Sequence, residues 1–323
     1  GGGEACTIAV RIARGVTGRD KVLFCGYHGW HDWYQAANLG AERLAGHLFN
    51  GIDPIGVPRS LEGTAMPFTY GELEELESLL QEHEDEVACI IMEPMRSGEP
   101  PAGYLDGVRD LATRYGVILI FDEVTSGWRI ARGSAQEYVG VTPDMTVFAK
   151  AISNGYPMGA VVGKREFMES TSRMFISSAY WDDNIGIAAS LACLRELERR
   201  DAVGHFNRIG TLFKEQINAA AMAVGLAATC VGVAAHPSIR IEVDDPSEAA
   251  KVNALFIQEN ARRGVILATG FMFNCSHGES EVERTAAVVQ ESFGKIAEGL
   301  DRGNIDDLLE VPPQEESFRR LVS

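Results

Sequence analysis

Residues 116–127 read GVILIFDEVTSG. Five apolar residues in an unbroken run, Val117 to Phe121, are the pattern of a strand buried on both faces, as in a parallel sheet covered by helices. The run passes directly into Asp122 and Glu123. Carboxylates at the exit of a buried strand are costly unless each has a partner or a chemical task. A positive charge is therefore expected there.

The flanking sequence repeats the pattern. KVLFCG (21–26), VACIIMEP (87–94), DMTVFAK (144–150) and GAVVGK (159–164) read as further short buried strands. Between them lie helical patterns. EACTIAVRIARGVTG (4–18) carries Ala5, Ile8, Ala9, Ile12 and Ala13 at helical spacing and stops at Gly15 or Gly18. Residues 71–86 form an acidic amphipathic helix with a solvated face, and LDGVRDLATRYG (105–116) a third helix. Such βα alternation predicts an α/β fold with a parallel or mixed sheet. From about residue 186 the texture changes to long helices, 186–200, 204–225, 248–264 and 280–300, with strands at SIRIEVD (238–244) and VILA (265–268). The division predicted is a large domain over 1–200 and a smaller C-terminal α/β domain over 201–323, a count that suits 323 residues. The tail DLLEVPPQEESFRRLVS (307–323) reads as a terminal strap.

With 29 basic and 46 acidic residues, the net charge is −17. That balance argues against nucleic acid or an anionic membrane as partner, and no long uncharged apolar run predicts a membrane span. The six cysteines are scattered without a CxxC pair, which fits reduced thiols in a cytoplasmic protein and no structural zinc. The chain opens with Gly1, Gly2 and Gly3 at the start of a helix, and the expectation is that a segment preceding it is missing.

Three predicted strands end in polar groups: Glu93, Asp122 and Lys150. Ligands of open α/β sheets collect beyond the carboxyl ends of strands. A desolvated lysine there can act as a nucleophile; a buried Lys–Asp ion pair explains the same residues equally well. GGGEA at a helix start offers free backbone N–H groups at the positive end of the helix dipole, which suits phosphate. It is neither a P-loop nor a GxGxxG fingerprint. In GYHGWHDW (26–33), Tyr27, Trp30 and Trp33 surround His28, His31 and Asp32. An aromatic ring at a strand end can stack on a flat ligand or simply pack the loop. As a metal site these residues lack further ligands at a recognisable spacing, so no metal is expected.

Taken together and in order, GGGEA…AVRIARGVTGRDKV, GYHGWHDW, IIMEP, GYLDGVRDLATRYGVILIFDEVTSGWR, GSAQEYVGVTPDMTVFAKAISNGYPMGAVVGK and FISSAYWDD resemble the class III aminotransferases, pyridoxal-phosphate (PLP) enzymes of fold type I. The resemblance covers residues 1 to about 195 and includes the spacing of 28 residues between Asp122 and Lys150 (150 − 122). It implies that Lys150 holds PLP as a Schiff base and moves protons as general base. Asp122 would pair with the cofactor's ring nitrogen, so the expected positive charge is partly the cofactor's own. Val124 and Tyr27 would flank the ring, and Gly2 and Gly3 would hold the phosphate. Glu93 would orient site groups, and His28 would lie near the cofactor. Glu123 would point away and serve structure, or pair with an arginine such as Arg129.

The sequence also departs from the family. GGGEA replaces a hydroxyl-rich loop, and Ala179 stands where members carry a threonine that reaches the neighbouring subunit's phosphate; Ser177 or Ser178 could compensate. Parts of the sequence are similar to glutamate-1-semialdehyde 2,1-aminomutase, but SSAYWDDNIG differs from the aminomutase lid. The expected function is thus amino transfer between an amine or amino-acid donor and a carbonyl acceptor. An aminomutase and a PLP-binding domain without turnover are the alternatives. A homodimer with shared active sites is implied. Arg96, Arg129 and Arg132 are equal candidates to bind a substrate carboxylate. His277 reads as a loop or capping residue, and His47, His83, His205 and His236 as surface or core fillers.

Overall fold

The computed structural model describes residues 1–40, 53–95, 98–181 and 183–313. Arg96, His47 and the tail from residue 314 lie outside them. The chain divides into two compact units, with the split between Glu198 and Arg199.

The first unit is built on a six-stranded sheet in the order β2-β1-β3-β4-β5-β6. Its strands are β1 (Lys21–Cys25), β2 (Ala65–Pro67), β3 (Val87–Met92), β4 (Ile118–Asp122), β5 (Met145–Phe148) and β6 (Ala160–Gly163). All neighbours are parallel except β5 and β6, which run antiparallel. The sheet is therefore mixed and mainly parallel, and the α/β expectation holds. Helix α1 (Gly2–Thr17) covers one face; α2 (Leu73–Glu82) and α3 (Tyr104–Arg114) cover the other. Helix α1 passes Gly15 and ends at Gly18, whose φ of 69° is left-handed and suits a residue without Cβ.

Side chains alternate across this sheet. Val22, Phe24, Cys89, Ile91, Ile118 and Ile120 pack with α1, while Leu23, Cys25, Ile90, Met92, Leu119 and Phe121 pack with α2 and α3. Period two carries Asp122 onto the α1 face and Glu123 onto the other. On α1, Ala5, Cys6, Ala9, Val10 and Ala13 form the buried stripe. Its alanines let the helix lie close to the strand that ends in Asp122.

Helix α4 (Asn184–Arg199) buries only Ser190. The second unit holds α5 (Ala202–Val224), α6 (Pro246–Arg262) and α7 (Glu279–Arg302), and the antiparallel pair β7 (Ala228–Val231) and β8 (Ser238–Ile241). Here the sequence reading needs correction. VILA (265–268) is not a strand: only Thr269 and Gly270 reach β8, through Ile239 N–H to Thr269 O at 2.7 Å and an isolated bridge to Ser238. The strand that pairs with β8 is Ala228–Val231, whose half-exposed ATCV carries too short a pattern to read. Among the described residues no helix is long and apolar enough to cross a membrane.

Candidate active site

Asp122, the last residue of β4, is 3% exposed. Its Oδ2 accepts hydrogen bonds from His28 Nδ1 at 2.8 Å and from Cys6 Sγ at 3.2 Å; its Oδ1 accepts from the Val124 backbone N–H at 3.0 Å. His28 is itself 1% exposed. Its ring lies nearly parallel to Trp33 (21°, centroids 6.3 Å apart) and meets the edges of Phe24 and Tyr34. Trp33 is tied to α1 by its indole N–H, which donates to Thr7 Oγ1 at 3.0 Å. The aromatic loop after β1 thus fixes a histidine against the carboxylate. Burial and the neighbouring Asp122 charge push the Cys6 thiol well above its ordinary range, so it stays protonated. The Cys6, His28 and Asp122 ligand atoms lie within 4.8 Å of one another, a spacing a metal could use. Here the thiol instead donates to Asp122 Oδ2.

Lys150 follows β5 in a short turn and has a left-handed φ of 47°. A non-glycine residue held there stores backbone strain, a feature that clusters at functional sites. Its Nζ donates to Thr125 Oγ1 at 3.0 Å. Burial, then the charge of Arg129, lower its pKa; Asp122 and Glu93 act in the opposite sense. Arg129 in turn donates to the Thr125 carbonyl oxygen, and burial lowers its pKa too. The ammonium and the guanidinium thus meet the same threonine, one at its side chain and one at its backbone.

Of the two roles expected for Glu123, structural or paired with an arginine, the structural one holds; among the described residues it does not pair with Arg129. Fully buried, it accepts Ser126 Oγ at 3.1 Å, Ala135 N–H at 2.6 Å and Gln136 N–H at 3.2 Å. Burial raises its pKa against those four donors, the Gln136 side chain included. It organises the loop from Ser126 to Gln136. Arg129 makes no ion pair among the described residues, whereas Arg132 pairs with exposed Glu198.

Gly2 and Gly3 open α1. A Cβ on Gly2 would stand 3.1 Å from both Val124 methyls, and one on Gly3 would stand 3.3 Å from Gly29 Cα and 3.4 Å from the His31 ring. Val124 therefore packs directly on the helix start. Glu93 accepts the Tyr27 N–H at 3.1 Å, and any Cβ on Gly26 would collide with its carboxylate at 2.5 Å. Gly26, with φ of 118°, lets Glu93 lie under the Tyr27 loop. Tyr27 stays half-buried. Ser177 and Ala179 are exposed, and no hydrogen bond joins Ser177 or Ser178 to these groups among the described residues. Trp30 is exposed and stacks on His31. His277 precedes α7, and its carbonyl accepts His205 Nε2 at 2.8 Å.

Cys6 and Thr125 were missed in the sequence. Cys6 was one more apolar position on α1, and only the 2-period of β4 set against the helix stripe could have flagged it. Thr125 lies two residues beyond Glu123 with no pattern of its own.

The arrangement fits a cofactor with an aldehyde, a basic ring nitrogen and a phosphate. It offers an amine of lowered pKa, a buried carboxylate and a helix start stripped of side chains. The sequence profile described as "Aminotransferase class-III" matches residues 1–277. The chain is 31% identical to the 3-aminobutyryl-CoA aminotransferase of Cloacimonas acidaminovorans (strain Evry), over 93% of this chain and 70% of that protein. It is 34% identical to a glutamate-1-semialdehyde 2,1-aminomutase of Geotalea daltonii (strain DSM 22248 / JCM 15807 / FRC-32), over 90% and 72%. A solved structure described as a transaminase with PLP bound superposes with a TM-score of 0.82 at 24% identity, covering 92% of this chain and 72% of that one, a likeness of fold.

Proposed function

The chain belongs to the class III aminotransferases, enzymes that work with pyridoxal phosphate, and from that premise we propose that Lys150 is the residue that carries the cofactor and the proton in amino transfer between a small amine or amino acid and a carbonyl acceptor. The carrying observation is the placement of Lys150: a left-handed residue at the exit of β5, next to the strand that ends in Asp122, with its Nζ donating to Thr125 Oγ1 at 3.0 Å. Bound there, pyridoxal phosphate supplies an aldehyde to capture amines and a ring that takes up electrons released at the substrate carbon.

The chain's own residues do the rest. Lys150 Nζ would supply the attaching amine and, when free of the cofactor, would carry the proton to and from the substrate carbon. Its lowered pKa enlarges the neutral, reactive fraction near neutral pH. Asp122 would meet the ring nitrogen, its carboxylate held in place by three hydrogen-bond donors. Val124 and Tyr27 would flank the ring. Gly2 and Gly3 would present backbone N–H groups to the phosphate, and Glu93 holds the Tyr27 loop through the Tyr27 N–H. Arg129 is the described arginine left for a substrate carboxylate, because Arg132 is committed to Glu198.

We further propose a homodimer. Phe175, Tyr180 and Ile185 are 85%, 82% and 62% exposed, with Leu191 in the same stretch. Such a row of large apolar residues is unusual on a free surface and suits a second copy. The free cysteines accord with a reducing, cytoplasmic setting.

The test is the visible spectrum of the protein with added PLP, then borohydride reduction and peptide mapping. A yellow species reduced onto the Lys150 peptide supports the reading; no band, or label on another lysine, overturns it. An amine-donor screen then separates the alternatives. Net formation of a carbonyl product is amino transfer, isomerisation of glutamate-1-semialdehyde is mutase activity, and binding without either is a domain lacking turnover.

A further inference from the structure

Asp122 is held more elaborately than an ion-pairing carboxylate requires. An ionised carboxylate offers about four acceptor sites, two on each oxygen. Oδ2 has both filled, by His28 Nδ1 at 2.8 Å and Cys6 Sγ at 3.2 Å. Oδ1 has one filled, by Val124 N–H at 3.0 Å. One acceptor site remains, and it lies on Oδ1. The three donors come from separate parts of the chain: α1, the loop after β1, and the turn after β4. We propose that Cys6 is a positioning residue for the cofactor: its S–H fills the second site of Asp122 Oδ2, so that the carboxylate offers a single acceptor, Oδ1, to the protonated ring nitrogen. The inference rests on the cofactor reading above.

The packing around Cys6 supports a donor and not a spare core residue. It is 1% exposed and sits on the α1 stripe between Ala5 and Ala9. The apolar role could be filled by alanine, as at the neighbouring stripe positions. The thiol stays protonated because burial and Asp122 both disfavour the thiolate, so the hydrogen runs from sulfur to oxygen. His28 Nε2, by contrast, is buried with no hydrogen-bond partner among the described residues. Without Cys6, Oδ2 regains an open site. The carboxylate can then meet the ring nitrogen through either oxygen.

The first measurement needs no cofactor. The S–H stretching band of Cys6 is the infrared band of the full chain that disappears in Cys6→Ala. In Asp122→Asn, checked for folding by circular dichroism, it should move to higher frequency, because a neutral amide is a weaker acceptor than a carboxylate. A band that does not move overturns the proposal. The second measurement is PLP affinity, by titration of the visible band. Cys6→Ala should weaken it by roughly 3- to 10-fold, the size of one lost net hydrogen bond. Cys6→Ser, which restores a donor of similar size, should return it to within about twofold, less than one net hydrogen bond. Equal loss in both variants would mean packing alone, and would overturn the proposal. If the unsubstituted chain binds no PLP while the infrared shift is present, the cofactor reading fails and the role toward the ring fails with it. The Cys6–Asp122 bond would still be established, so the two failures are distinguishable.

Discussion

Lys150 and Arg129 converge on Thr125, and their repulsion has a testable sign. Burial and the guanidinium both favour the neutral amine. Arg129→Gln removes a positive charge, so the Lys150 pKa should rise. The pH dependence of cofactor uptake by the apoprotein should then move to higher pH. The same substitution should raise KM for carboxylate-bearing substrates by roughly 10- to 100-fold, the worth of a charged hydrogen bond, and leave simple amines little changed. Equal effects on both substrate types would dismiss Arg129 as a carboxylate ligand. Lys150→Ala should cost ~10²–10⁴-fold in turnover through loss of the proton carrier alone. Rapid-mixing assays with an excess of amine donor would measure it.

The start of α1 and the loop after β1 are packed against each other through glycine. Gly29 has φ of 100°, and a Cβ there would stand 2.7 Å from Gly3 Cα, backbone that cannot yield cheaply. Gly29→Ala should therefore both destabilise the fold, by about 1–3 kcal/mol of strain, and weaken phosphate binding by shifting the helix start. Gly18→Ala is the control. Its φ of 69° is also left-handed, but a Cβ there meets nothing within 4 Å. It should cost about 1–2 kcal/mol in thermal stability and leave PLP affinity unchanged. Titration and melting of the two variants would show whether this close contact, and not general loss of stability, governs binding.

The first unit is tied across its sheet by Asp144. Its carboxylate takes Lys164 Nζ at 2.6 Å, Arg109 at 2.9 Å and the Leu119 N–H at 2.8 Å, joining α3, β4 and the residue after β6. Burial alone would raise its pKa, but Lys164, the Leu119 amide and Arg109 outweigh it and lower the value. A carboxylate with a folded pKa below its unfolded value near about 3.9 adds stability above that pH. That stability is lost as pH falls through the folded value. The stability gap between the protein and Asp144→Asn should thus be constant near neutrality and shrink below about pH 4, as read by denaturant unfolding. The exposed row at Phe175, Tyr180, Ile185 and Leu191 belongs to the same unit. Ile185→Glu with Leu191→Glu should shift sedimentation toward a monomer, since burying two carboxylates in an apolar contact is unfavourable. An unchanged dimer would place the interface elsewhere.

Local pattern was enough for the α/β class, the buried strands, a helix stop at Gly15 or Gly18, and the candidates Asp122 and Lys150. Each is written in a short window: apolar runs, a glycine, a polar residue at a strand exit. Glu123 was legible as structural from its parity, but its partners were not. The amides of Ala135 and Gln136 reach it only when the chain doubles back, so the structural role holds and the alternative arginine pairing does not. VILA was misread because its apolar residues meet no pairing edge, while half-exposed ATCV does; strand pairing is a property of two segments. The Cys6 bond to Asp122, and the meeting of Lys150 with Arg129 at Thr125, arise where residues 116 and 25 positions apart are brought together. Composition and periodicity specify which face a side chain takes. What lies opposite that face is decided only when the helices close on the sheet and water is expelled from between them.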